Sequence, residues 1–216
     1  MKKTFKILII FFLLIVSIII YLSLIGIETT SFNKKISNQI HKINPKIKIE
    51  LKKVKFLFNP TSFKIDIKTL GSNIKTKDEI LELESIKTSI LIKSFVNKNF
   101  LINNLEISTK SLRLKDMVKF ARSVEDNPKL FLLEKIIRNG YLIADLKLEF
   151  NENGEIKKNF NIKGILKEAK FDILNQYNLE KLDLIFDIKD NYYELSNINF
   201  NFNEIEFKSK EIKIED

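Results

Sequence analysis

Few residues in this chain have types and spacings that could do chemistry. His41 is the only histidine, beside Lys42 in the segment that follows a long apolar run. A catalytic triad would need that imidazole held between a nucleophile and an orienting acid, and a lone exposed histidine is far more often simply solvated. The chain has no cysteine, which excludes a thiolate nucleophile, a Cys-ligated metal and a disulfide framework. With one histidine and no thiolate, a zinc site lacks its nitrogen and sulfur ligands. The carboxylates that could form an acid–base dyad are Glu50, Asp66, Glu82, Glu84, Asp145, Glu149, Asp183 and Asp187. All fall on the polar half of strand-like alternation, where a solvated sheet face explains them. The five glycines form neither G-x-G-x-x-G nor G-K-[ST], so no phosphate-binding loop is expected. Phe (18) far outnumbers Tyr (5), Trp is absent, and the phenylalanines sit on apolar strand faces rather than forming a base-stacking set. No catalytic residue, cofactor, metal or nucleic-acid partner is expected, and the chain does not read as an enzyme.

The elements that must position the remaining residues begin with an anchor. Ile7 to Ile27 carries no charged residue and, as a helix, spans about 30 Å, the thickness of a bilayer core. Ser17, Tyr21 and Ser23 are its only polar interruptions, and Tyr21 suits the far interface. A cleaved signal peptide is the rival, but its apolar region is shorter and ends in a small-x-small site, which GIETTSF does not offer. Residues 1–27 are therefore read as a cytoplasmic N-terminus and an uncleaved, single-pass signal anchor. Lys2, Lys3 and Lys6 precede the run, which keeps the N-terminus cytoplasmic and sends the body across.

Net charge is +9, and removing those three lysines leaves 34 basic against 28 acidic residues. The excess is spread out, as an AT-rich coding sequence would produce by enriching Lys, Ile and Asn together. Attraction to an anionic surface is the functional alternative. A composition of 44% hydrophobic and 30% charged residues is globular, and the length suits one domain with its own core.

Residues 28–45 form a short amphipathic helix in this reading. Thr30 or Ser31 caps it, Phe32, Ile36, Ile40 and Ile43 make one face, and Asn44-Pro45 ends it. That face packs on the end of the domain that follows or lies on the bilayer.

Residues 46–216 alternate with period two. Ile47, Ile49 and Leu51 lead to Val54, Phe56 and Phe58, and then, past Asn59-Pro60, to Phe63, Ile65 and Ile67. Further strands follow through Ile80–Leu83, Ile86, Ile90–Ile92, Leu105 with Ile107, and Leu112 with Leu114. A helical insert is expected near 116–139, with Met117, Val118, Phe120 and Ala121 before Asp126-Asn127-Pro128, then Leu130, Leu133, Ile136 and Ile137, stopping at Asn139-Gly140. Strands resume with Leu142 to Phe150, a turn at Asn151–Gly154, then Phe160 to Leu166, and Ala169 to Ile173 after a slip that suggests a bulge. Leu182 to Ile188, Tyr193 to Phe202, Ile205 with Phe207, and Ile212 with Ile214 complete the set. The fold class is mostly β (α+β): an elongated, curved antiparallel sheet with an apolar inner face behind a transmembrane helix.

An apolar face of this size must be covered by a sandwich partner, by the helices near 116–139, or by something apolar held in a groove. The last strand, ending at Ile214, leaves an open edge. That edge is expected to continue through missing chain, further repeats, or an envelope protein partner.

The order of features resembles the AsmA-like family of bacterial envelope proteins, which includes the TamB and YhdP types. The resemblance is carried by the Lys-flanked anchor, SFNKKISNQIHKINP, KIKIELKKVKF, NPTSFKIDI, LELESIKTSILIKSF, NLEISTKSLRL, NGYLIADLKLEFNENGEI and NIKGILKEAKFDIL. It covers essentially the whole chain, which is much shorter than typical members. It implies a body in the periplasm on the inner membrane and a role in outer-membrane biogenesis by binding or transferring phospholipid in an apolar β groove. No catalytic residue carries over. What carries over is a face: Leu142, Leu146, Leu148, Phe160, Ile162, Leu182, Leu184, Phe186, Phe200 and Phe202 would line the groove, each with ordinary core packing as its alternative. An LptC-like component of lipopolysaccharide export is a second resemblance, although that type lacks a helical insert. An anchored scaffold that pairs through its open sheet edge is a third reading.

Overall fold

The computed structural model describes residues 2–31, 33–34, 37–38, 41, 44–92, 102–151, 157, 159–174 and 176–215. Helix α1 (Lys2–Leu24) has 23 residues and a mean hydropathy of 3.2 over Thr4–Leu24, none of that stretch buried against the rest of the chain. A segment so apolar must satisfy its backbone groups internally if it lies in lipid, and α1 has the length and composition of a single membrane span. Ser23 Oγ donates back to the Ile19 carbonyl at 2.8 Å, so this hydroxyl is satisfied within the helix. The helix stops three residues short of the expected Ile27. Ile25 N and Gly26 N both donate to the Tyr21 carbonyl, at 2.9 and 3.0 Å, and Gly26 takes φ +72°, a left-handed cap that glycine adopts at little cost. A Cβ at Gly26 would strike the Phe56 carbonyl, so the chain passes against the sheet and enters it at once as β1 (Ile27–Thr29).

Among the described residues the body is one open antiparallel sheet of thirteen strands. Its strands are β1, β2 (Lys48–Glu50), β3 (Lys53–Asn59), β4 (Lys64–Leu70), β5 (Asn73–Lys75), β6 (Ile80–Leu91), β7 (Ile102–Thr109), β8 (Leu112–Arg113), β9 (Ile137–Glu149), β10 (Asn161–Ile173), β11 (Tyr177–Lys189), β12 (Tyr192–Phe202) and β13 (Ile205–Glu215). The hydrogen-bonded path runs β1-β3-β4-β6-β7-β9-β10-β11-β12-β13, with β2 and β5 forming a side ribbon on β6, and β8 pairing with β9. Most neighbours on the path are close in sequence, as tight turns permit. Asn203 and Glu204, both with positive φ, make the two-residue turn that joins Phe202 to its partner Ile205, a geometry matched to the twist of the flanking strands.

Helices α2 (Leu114–Val124) and α3 (Pro128–Ile136) form a hairpin clasped over one end of the sheet. The Asn127 side chain accepts from Lys129 N at 2.9 Å, with Pro128 in the first turn, and Arg122 bridges to Glu134 at 3.0 Å. Val118, Leu83, Leu112, Ile137, Leu142 and Ala169 are buried at this end, with α2 contacting β9 and β6 and α3 contacting β9 and β10. The helical stretch ends earlier than the expected Asn139-Gly140. Ile137 already belongs to β9 and is fully buried. Gly140 is a point of close approach rather than a helix stop: a Cβ there would lie 3.0 Å from Ala169.

Of the expected helix at 28–45, Asn33, Lys34, Ser37, Asn38 and His41 are helical. Its apolar positions Phe32, Ile36, Ile40 and Ile43 lie outside the described residues, as does most of the expected turn at 151–154. Asn33 Nδ2 donates to the Leu51 carbonyl at 2.8 Å and Ser37 Oγ to the Ile49 carbonyl at 2.9 Å, which ties this segment to the sheet.

Candidate functional site

Strand alternation puts every second side chain on one face, and cross-strand register decides whether those half-faces join. Here they join without a break. Thr29 pairs with Val54, Val54 with Thr69, Thr69 with Ile86, Ile86 with Ile107, and Ile107 with Leu146. Leu146 pairs with Ile162, Ile162 with Ile188, Ile188 with Tyr193, and Tyr193 with Ile214. One row of ten positions therefore crosses all ten strands of the path, apolar or Thr throughout. A parallel row runs Ile27, Phe56, Ile67, Thr88, Leu105, Leu148. Another runs Ala144, Gly164, Phe186, Leu195, Ile212. At Gly164 a Cβ would collide with the Ile143 carbonyl and the Phe186 ring, so Phe186 lies flat over a position with no side chain.

A strict period of two would turn the long strands over half-way along. Bulges prevent it. Glu168, Lys181 and Asn197 all take positive φ, and the register steps between Leu166 and Ala169 and between Glu180 and Asp183. The inward series therefore reads Leu166 then Ala169, Leu179 then Leu182, and Leu195 then Ile198. Aligned bulges on neighbouring strands increase coiling and keep the apolar side chains on one side.

The ten residues expected to line a groove are placed as follows. Leu146, Leu148, Ile162 and Phe186 occupy the joined rows, Leu142 and Leu184 flank Leu166 in a further row, and Phe160 stands two residues before Ile162. Leu182 pairs with Ala169 beyond the bulge. Phe200 pairs and stacks with Phe207, ring centroids 5.2 Å apart, while Phe202 pairs with Leu179 and stacks on Tyr177 at 5.9 Å. Leu142 is buried by the helical hairpin, whereas the others are only partly buried. Sequence reasoning left out Val54, Phe56, Ile67, Ile86 and Ile107 on the α1 side, and Tyr193, Ile205, Ile212 and Ile214 at the far edge. Their alternation was visible, but nothing local tells which strand lies beside which.

The opposite face carries ion pairs, Lys163–Asp187 at 2.8 Å, Lys189–Asp187 at 3.1 Å, Lys167–Asp183 at 3.2 Å and Lys213–Glu211 at 3.0 Å, beside a short exposed apolar run of Ile143, Ile165 and Ile185. At Asp187, desolvation pushes the carboxyl up, but hydrogen bonds from Lys163 and Lys189 outweigh it and hold it below the usual carboxylate range. The same bond to Asp187 raises Lys163. A cavity of about 480 Å³ opens on this polar side, lined by Asn139, Glu168, Lys170, Glu180, Lys181, Asp183 and Asn199. Of its charges, Lys170 pairs with Glu180, and Asp183 pairs with Lys167 outside the lining. His41 Nδ1 lies 3.3 Å from the Ile47 carbonyl, and among the described residues no His, Asp and Glu cluster is placed to hold a metal ion.

No known protein family matches the chain, and no curated protein or solved structure matches it either.

Proposed function

We propose that this protein is held in a bacterial inner membrane by α1, with its N-terminus cytoplasmic and its sheet in the periplasm, and that the apolar face holds phospholipid acyl chains during outer-membrane biogenesis. The observation that carries this reading is the unbroken row from Thr29, five residues past the end of α1, to Ile214. Ten strands spaced about 4.8 Å apart make that row about 43 Å long, longer than an extended acyl chain. Val54 and Thr69 of that row are buried, the helical hairpin covers one end of β6, β9 and β10, and Tyr193, Phe207, Ile212 and Ile214 stay between 37% and 51% exposed. The resemblance in feature order to AsmA-like proteins supports the same reading, which assigns the chain no catalytic step.

The energetics suit exchange rather than storage. Burying a methylene is worth about 0.8 kcal/mol, and an acyl chain gains nearly the same in the groove as in the bilayer. Transfer between the two is then close to neutral, and the face serves by sparing the chain a passage through water.

The test places a photo-crosslinking side chain at single positions of the full chain in a bacterial host, followed by lipid analysis of the adducts. Phospholipid adducts are expected at Leu146 and Ile188, which face inward, and not at Lys147 or Lys163, which face outward. The adduct at Ile188 should be lost when Leu146→Asp and Leu184→Asp are combined in a variant that keeps its β-sheet circular dichroism. Equal labelling on both faces, or none at the inward positions, overturns the proposal.

A further inference from the structure

We propose that β13 pairs antiparallel with β13 of a second copy of this chain, joining two sheets edge to edge about a two-fold axis. Among the described residues β13 ends the strand path and has a partner only on its β12 side. The strand has 11 residues, no proline, and apolar side chains at Ile205, Phe207, Ile212 and Ile214 that are 42% to 62% exposed. Such an edge is a template for another strand unless it is blunted.

The identity of the partner comes from self-complementarity. Ile205, Phe207, Ser209, Ile212 and Ile214 register against Phe202, Phe200, Ile198, Leu195 and Tyr193 and so share the apolar face. Glu206, Lys208, Glu211 and Lys213 register against Asn201, Asn199, Ser196 and Glu194 on the polar face. The apolar series steps by three between Ser209 and Ile212, so the strand shifts face at Lys210. A two-fold pairing centred between Ser209 and Lys210 sets Ile205 opposite Ile214 and Phe207 opposite Ile212. It also sets Glu206 opposite Lys213 and Lys208 opposite Glu211, and each pair occurs twice.

Sliding by one residue puts apolar side chains against polar ones. Sliding by two sets Glu206 opposite Glu215 and Lys208 opposite Lys213 in one direction, or Glu206 opposite Glu211 in the other. Like charges directly opposite are destabilising. Of these registers only the first matches both faces and sets Glu206, Lys208, Glu211 and Lys213 each against an opposite charge, with Lys210 opposite Ser209 and Glu215 opposite Glu204 just outside the strand, a property that a strand meeting only a different protein has no need of. An isologous contact of this kind closes after two copies, and it carries the apolar row from one sheet into the next. The inference does not depend on what the apolar face holds.

The test uses the full chain in detergent micelles. The protein has no cysteine, so two differently tagged single variants, Glu206→Cys and Lys213→Cys, can be mixed and mildly oxidised. Directly opposite residues lie within disulfide reach. The mixture should give a disulfide-linked heterodimer at least about tenfold in excess of the homodimers formed by either variant alone. Light scattering of the unmodified chain should report two copies per micelle. Glu206→Lys should raise the dimer dissociation constant about tenfold through two like-charge contacts, and adding Lys213→Glu should restore it. A single copy per micelle across the micromolar range overturns the proposal, as does a heterodimer yield no greater than that of the homodimers. So does a Glu206→Lys/Lys213→Glu variant no tighter than Glu206→Lys.

Discussion

Asp187 accepts from two lysines across and along the polar face, and its lowered pKa fixes the sign of an acid effect. A carboxyl depressed in the folded state contributes stability that is present above its unfolded value of about 3.9 and is lost as pH falls through the folded value. Asp187→Asn is expected to lower stability at pH 7 by about 0.5–1 kcal/mol. The gap from the unmodified protein should close as pH drops below about 4, read from urea midpoints across pH. Gly164 makes a different prediction. Its backbone conformation is ordinary, so Gly164→Ala should fail by collision with the Ile143 carbonyl and the Phe186 ring rather than by backbone strain. The expected cost is about 1–3 kcal/mol. Combining it with Phe186→Leu should recover part of that loss in the same denaturation assay.

At the scale of elements, the helical hairpin and the aligned bulges divide the apolar face into a covered end and an open stretch. Ile137 is the hinge of that division: it opens β9, pairs with Phe171 and is fully buried at the end the hairpin covers. Ile137→Ala should cost about 2–5 kcal/mol, measured by chemical denaturation, whereas Ile214→Ala at the exposed edge should cost under about 0.5 kcal/mol. The helices were legible from the switch to a 3.6-residue period and from Asn127-Pro128. The end of α3 was not. Ile137 continues the apolar helical face in sequence, and only the pull of β10 on Ile137 and Asn139 turns those residues into strand. The bulge after Leu166 was legible because the apolar spacing steps from two to three. Its alignment with the bulges at Lys181 and Asn197 was not, because alignment is a relation between strands.

At the scale of the molecule, α1 and the ten-strand row define a chain with one apolar rod and one apolar sheet face. Placing Leu13→Arg and Val16→Arg together in α1 should cost about 5–7 kcal/mol of insertion energy at 2.5–3.5 per charge, and should shift the full chain out of the carbonate-resistant membrane fraction. The sequence by itself determined an apolar helix long enough to cross a membrane, the mostly-β class and the inward side of the longer strands. Each of these depends on the direction of side chains along a few consecutive residues, set by the local backbone repeat. Only the tertiary structure decided that the half-faces join into one row and that the hairpin closes one end. Those facts depend on which strand lies beside which and in what register, and residues far apart in the chain settle that through the free energy of the whole sheet.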